Sequence, residues 1–191
     1  MKQLSIEKNP NNIEGLIVIK PRVFLDERGY FCETYNKSVM YNLGVNIDFV
    51  QDNESLSTKG VLRGLHFQKK FSQAKLVRVI QGSVFDVAVD IRSGSPTYGK
   101  YFGIELTSEN HFQLYIPKGF AHGFVALSDE AIFSYKCTDF YHPEDEGGLL
   151  WNDEEIAIDW PISIIDEIIV SEKDKKHPTF KEFKEGDFKF F

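Results

Sequence analysis

Apolar and polar residues alternate in short runs along most of the chain, and turn-forming residues separate one run from the next. The runs fall at 15–19, 30–35, 61–67, 76–80, 84–91, 102–106, 112–116, 124–127 and 131–137. Gln81-Gly82, Ser93-Gly94-Ser95-Pro96, Ser108-Glu109-Asn110, Pro117-Lys118-Gly119 and Ser128-Asp129 punctuate them. Side chains two apart in a strand share a face, so the pattern predicts many short strands. Strands so spaced predict an all-β sandwich or barrel. In the run 84–91, Phe85, Val87, Val89 and Ile91 form an apolar face, and Val84, Asp86, Ala88 and Asp90 form a face that accommodates charge. Helical periodicity is weak and is best at 37–43. From Lys173 to Phe191, charges are interspersed with Phe180, Phe183, Phe188, Phe190 and Phe191. This tail is expected either to pack a short helix on the sheet or to fray.

One run breaks its own pattern. Gly60 to Gln68 reads as an apolar strand interrupted by two cation-capable side chains, Arg63 and His66. Strict alternation places Leu62, Gly64, His66 and Gln68 on one face and Val61, Arg63, Leu65 and Phe67 on the other, so Arg63 and His66 diverge. Gly64 lies between them, and a glycine inside a strand marks a bulge, a strong twist or a close approach to the backbone. Such an irregularity lets both line one cavity. Taken alone, a strand histidine is a hydrogen-bonded structural residue.

Other polar residues recur at strand positions: Gln51, Asp52, Asn53, Lys75, His122, Tyr135 and Lys136. Singly, Lys75 reads as a solvated charge, Tyr135 as a core aromatic with its hydroxyl satisfied, and His122 as a turn or core residue. Together, on the strands of a small sandwich, they are costly to bury unless they pair or face a wet cavity. A binding pocket is the simplest reason for the set.

Composition narrows the class. The 191 residues suit one domain, 1–191, able to bury a core without disulfides or a structural metal. An apolar content of 42%, with 17 Phe and 8 Tyr, excludes a disordered chain, and no apolar run is long enough to cross a bilayer. The first 15 residues mix charge with Asn and Pro and contain no apolar core of a signal peptide, so a cytoplasmic setting is expected. Cys32 and Cys137 have no metal-like spacing and read as reduced thiols. A formal charge of −7 argues against a general affinity for nucleic acid or acidic membranes, yet leaves room for a small basic pocket.

Pro117-x-Gly119-x-x-His122 matches part of the second metal motif of cupins, whose jelly-roll barrels often hold a metal. Ala126 stands where that motif usually carries Asn, and no His-x-His pair occurs near His66. A ligand cluster is therefore missing from the spacing, and a cupin-like barrel with no metal is expected.

Longer motifs identify a family. Asp26-Glu27-Arg28-Gly29, Val50-Gln51-Asp52-Asn53, Val61-Leu62-Arg63-Gly64-Leu65-His66-Phe67-Gln68, Lys75-Leu76-Val77-Arg78, Gly119-Phe120-Ala121-His122-Gly123-Phe124, Leu150-Trp151-Asn152-Asp153 and Ile158-Asp159-Trp160-Pro161 closely resemble the dTDP-4-dehydrorhamnose 3,5-epimerases. The likeness runs in order from about Gly15 to Asp174. It implies a cupin-like jelly roll with a few short helices, and an isomerase converting dTDP-4-keto-6-deoxy-D-glucose to dTDP-4-keto-L-rhamnose. It implies that His66 is the general base, Asp174 its orienting carboxylate and Tyr135 the acid on the opposite sugar face. Lys75 and Arg63 match residues near the ketone and the pyrophosphate. Arg28, Glu33, Gln51, Asn53, His122, Glu146 and Lys173 match substrate-binding positions. It further implies a homodimer in which the strand around Arg28 and Glu33 enters the neighbouring subunit's site.

The chemistry suits these residue types. A C4 ketone acidifies the hydrogens at C3 and C5, because loss of either leaves an enolate with its charge on the C4 oxygen. Inversion requires removal of a proton on one face and return on the other, the work of a positioned base and acid. Lys75 is suited to the enolate oxygen. These steps call for no cofactor, and the chain has no glycine-rich dinucleotide fingerprint. Two other readings are an epimerase inverting one carbon of a related nucleotide-linked 4-keto sugar, and a non-catalytic cupin-type sugar-binding module. The presence of both an acid and a base argues against the module.

Overall fold

In the computed structural model, which describes residues 4–186, two antiparallel sheets pack face to face, as the alternation predicts. The strands are β1 (Leu4–Lys8), β2 (Ile17–Pro21), β3 (Val23–Asp26), β4 (Gly29–Cys32), β5 (Gln51–Thr58), β6 (Val61–Gln68) and β7 (Lys75–Gln81). They continue with β8 (Ser83–Asp90), β9 (Tyr101–Thr107), β10 (Gln113–Ile116), β11 (Phe120–Ala126), β12 (Glu130–Cys137), β13 (Glu146–Gly148) and β14 (Ile169–Val170). One sheet has the order β1-β2-β10-β7-β12-β5 and the other β13-β6-β11-β8-β9, with β14 running parallel to β6; β3 and β4 form a separate hairpin. This is the architecture of a cupin-like jelly roll.

The inner faces of the two sheets supply the central core, including Val18, Val77, Val84, Leu106, Leu114, Phe124 and Phe133. Each such side chain, fully buried, contributes about 1.5–3 kcal/mol. A second core lies on the outer face of the β6–β11–β8 layer, where Phe85, Val87, Val89 and Ile91 meet Trp160, Phe180 and Phe183. Both faces of β8 are thus covered. The face expected to accommodate charge is buried, and Asp86 and Asp90 on it are wholly inaccessible. Alternation located the two faces; the segment that covers the outer one arrives from far along the chain.

That segment also resolves the tail as far as residue 186. The helix α2 (Phe180–Glu185) begins with a reciprocal Thr179–Glu182 capping box and buries Phe180 and Phe183. Asp153 fastens its first turn by accepting the Phe180 N–H. The tail packs; Phe188, Phe190 and Phe191 lie outside the described residues. The other helix, α1 (Lys37–Asn42), matches the predicted 37–43 and is capped by Asn36, whose side chain accepts the N–H groups of Ser38 and Val39. Strands β1, β3, β5, β13 and β14 were not expected. β5 is polar at every position but Leu56, and β13 and β14 are too short for periodicity to register.

Candidate active site

The irregularity at Gly64 is real. His122 of β11 pairs with His66, but the next pair is Phe124 with Arg63, so β6 spends one more residue than β11 over this interval. Gly64 has a φ of 131°, and a Cβ there would lie 2.6 Å from the Cα of Gly123. Only glycine permits that approach. The slip offsets the alternation, and Arg63 and His66 line one cavity of about 520 Å³.

Parallel pairing of β14 with β6 carries the following turn back beside the same strand, and so joins residues 108 positions apart. Asp174 is buried there, its Oδ1 at 2.8 Å from His66 Nε2 and its Oδ2 accepting the Gly64 N–H at 3.2 Å. Burial raises the pKa of this carboxyl, but the hydrogen bond and charge of His66 and the Gly64 N–H outweigh it and hold it below the usual range. The ring is therefore gripped by a carboxylate at Nε2.

The opposite wall comes from the other sheet. In register, β12 sets Tyr135 beside Val77 and Cys137 beside Lys75, so Tyr135 and Lys75 project from neighbouring strands, with Lys75 Nζ 5.8 Å from the Tyr135 ring centre. Burial pushes the Tyr135 hydroxyl up, keeping its proton on. Burial pushes the Lys75 ammonium down, opposed by Cys137, Asp86 and Glu146. Lys75 is thus no solvated surface charge. The residue is half-buried and lines the cavity.

His122 forms the floor. Its Nε2 lies 2.8 Å from Asp86 Oδ2, and its ring stacks on Phe133. Burial lowers its pKa more than Asp86 restores it, which favours a neutral ring. At the rim, Lys173 bonds Glu146, which also accepts the Tyr141 hydroxyl at 2.7 Å. That bond to Glu146 pushes the Tyr141 pKa up to about 12.

Arg63, His66, Lys75, His122, Tyr135, Glu146, Lys173 and Asp174 all line the cavity. Four expected site residues do not. Arg28 sits at the β3–β4 turn, bonded to Asp26. Glu33 accepts from Asn36. Gln51 bonds Asn53 and accepts the Tyr141 N–H, while Asn53 donates to Cys137. Sequence reasoning missed Asp86, Tyr141 and His177. Asp86 had a signal, a carboxylate on the inward face of β8; the other two had none.

No metal was expected, but His66, Asp174 and His177 place donor atoms within 4.8 Å of one another. Spacing does not reveal this cluster, because its members come from β6 and from the turn after β14. Both Asp174 oxygens are already engaged, and His177 Nδ1 is buried without a hydrogen-bond partner among the described residues, whereas a ligating histidine normally has its second nitrogen anchored. The donor set fits a resident metal poorly.

A histidine braced by a carboxylate, a half-buried tyrosine that keeps its proton and a cavity-lining lysine, set in a cupin-like barrel, are groups suited to the proton-transfer chemistry of a sugar epimerase. Residues 10–182 match the family model for dTDP-4-dehydrorhamnose 3,5-epimerase. The chain is 54% identical over 171 residues to the dTDP-4-dehydrorhamnose 3,5-epimerase of Methanothermobacter thermautotrophicus, covering 90% of this chain and 92% of that protein. To the Escherichia coli enzyme of the same name it is 54% identical over 172 residues, covering 89% and 92%. A Legionella pneumophila dTDP-6-deoxy-D-glucose-3,5-epimerase, solved with dTDP-4-keto-L-rhamnose, superposes with a TM-score of 0.92 at 46% identity, covering 98% of each chain. The chain belongs to the dTDP-4-dehydrorhamnose 3,5-epimerase family.

Proposed function

We propose that this chain inverts C3 and C5 of dTDP-4-keto-6-deoxy-D-glucose to give dTDP-4-keto-L-rhamnose, with His66 as base and Tyr135 as acid. The observation that carries the reading is the braced His66–Asp174 pair and the protonated Tyr135 on the walls of one cavity. His66 takes the proton alpha to the ketone, Lys75 donates to the enolate oxygen, and Tyr135 returns a proton to the other face. Asp174 fixes the ring and offsets the charge the ring acquires. Every step is a proton transfer with no net oxidation, so no redox cofactor enters the balance.

Arg63, His122, Glu146 and Lys173 contact the substrate from this chain. Arg28 and Glu33 act in trans, in a homodimer. Two observations support that: both lie outside the cavity, and the β3–β4 hairpin presents Phe24, Leu25, Tyr30 and Phe31 to solvent. Gln51 and Asn53 lie on the edge strand β5, which pairs with the Tyr135 strand β12. Mixing inactive Arg28→Ala protein with inactive His66→Asn protein under subunit exchange restores part of the activity, because one hybrid site is intact. Exchange without recovery sinks the shared site.

The chain acts as one epimerase domain, 1–191. No described helix is long and apolar enough to cross a membrane, and Cys32 and Cys137 are free thiols, in keeping with work in the cytoplasm. Turnover in heavy water tests the reaction: deuterium appears at both C3 and C5 of the L-sugar. Deuterium at one carbon alone makes the chain a single-carbon epimerase, and none at either removes proton abstraction altogether.

A further inference from the structure

His177 belongs to none of the roles above, yet it stands beside the base. Its ring lies edge-on to His66, with centroids 5.5 Å apart and planes at 81°. Gly148 is the cross-strand neighbour of His66, and a Cβ at Gly148 would fall 2.1 Å from both Cε1 and Nδ1 of His177. The space beside His66 that a side chain at 148 would fill is occupied by the His177 ring. The ring is also fixed in the chain direction. The His177 N–H closes on the Asp174 carbonyl, and Leu150 donates to the carbonyl of the next residue, Pro178, at 2.8 Å. One short turn thus delivers both the carboxylate that holds His66 and the ring that abuts it.

We propose that His177 is a positioning residue for the base: seated on Gly148, it walls the outer side of the His66–Asp174 pair and holds the imidazole in the plane that meets the substrate. The inference rests on His66 being the base. Burial, followed by the proximity of His66, depresses the His177 pKa, against Asp174 and Glu146 and with Lys173, so the ring stays neutral at neutral pH. A neutral wall adds no charge to oppose the proton that His66 must accept. Its Nδ1 has no partner among the described residues, so the plane of the ring, not a hydrogen bond, is what His177 contributes.

The test separates ring from side-chain bulk and kcat from KM. His177→Ala lowers kcat about 10-fold with KM within about 2-fold of wild type, because a misplaced base loses rate without losing substrate contacts. Deuterium wash-in from heavy water slows by the same factor. His177→Phe, which restores the planar wall, recovers most of the rate. Should the alanine variant fold poorly, His177→Gln keeps bulk without a ring and carries the same loss. Wild-type kcat in a folded alanine or glutamine variant overturns the proposal, as does a loss confined to KM or a phenylalanine variant as slow as alanine. Failure of the underlying reading is recognised separately, by folded His66→Asn protein whose kcat stays within about 10-fold of wild type.

Discussion

Strand β8 carries two inaccessible aspartates on one inward face, Asp86 and Asp90, and they have opposite fates. Asp90 is saturated. Its Oδ1 accepts the Arg92 N–H and Nε, and its Oδ2 accepts Arg92 Nη2, Ser95 Oγ and Thr97 Oγ1. Arg92 in turn lies over the Phe120 ring and donates to the Glu14 carbonyl. Asp86 spends Oδ2 on His122 and leaves Oδ1 buried with no partner among the described residues. A closed polar cluster staples the 92–97 loop to the barrel, with both Asp90 oxygens engaged. An open one keeps unused hydrogen-bonding capacity beside the cavity at a cost in stability. The same residue type on the same strand holds a loop at one end and a cavity-lining histidine at the other, and saturation of its oxygens distinguishes the two.

The largest effect should come from the open end. His66→Asn removes the proposed base while nearly preserving shape, and lowers kcat by about 10²–10⁴-fold with unchanged melting. Next is Tyr135→Phe, which slows inversion by about 10²-fold while leaving abstraction possible. In heavy water this variant returns deuterated, uninverted substrate faster than it makes L-sugar. Equal losses of exchange and inversion would merge Tyr135 with the abstraction machinery and end the two-face assignment.

The aspartate pair is sharpened by a crossed experiment. Asp90→Asn breaks a buried charge cluster and costs about 3 kcal/mol of stability, leaving kcat near wild type at a temperature where the variant is folded. Asp86→Asn does the reverse, with kcat down about 10-fold and a smaller shift in melting, because Asp86 sets the orientation of the His122 ring in the cavity floor. Urea melts and kcat on both variants decide it. If the two variants behave alike, saturation does not distinguish structural from functional carboxylates here.

How far this contrast could be read in advance depends on range. The strands carrying the site were legible as short apolar runs bounded by turn residues, although β11 begins at Phe120, before its expected run at 124–127, so His122 lay outside the predicted strand. Gly64 announced the bulge that unites Arg63 with His66. Partners brought by long-range pairing carried no local signal: Asp174 reaches His66 through the two-residue β14, and His177 meets it over Gly148 of the three-residue β13. Family resemblance supplied Asp174, and nothing supplied His177. Asp90 looked like Asp86 in the alternation, since the donors that close its cluster come from a loop whose path periodicity does not report.

The smallest effect concerns acid stability and isolates Asp90 from the rest of the molecule. Burial raises its pKa, but Arg92, Ser95 and Thr97 outweigh burial and hold the folded value below the ordinary one. A carboxylate depressed in the folded state contributes stability that is fully present above its unfolded pKa of about 3.9, and that drains as pH falls through the folded value. Asp90→Asn lacks this contribution at every pH. Its stability is lower at neutral pH but falls less steeply below about pH 4, the slopes differing by at most one proton, or about 1.4 kcal/mol per pH unit. The variant still loses stability in acid, because Asp174, Asp145 and Glu146 are depressed as well. Urea midpoints measured from neutral pH down to about pH 2 make the comparison. Parallel curves for wild type and variant would mean that ionised Asp90 adds nothing to the fold, and the closed end of β8 would have to be explained by its neutral hydrogen bonds alone.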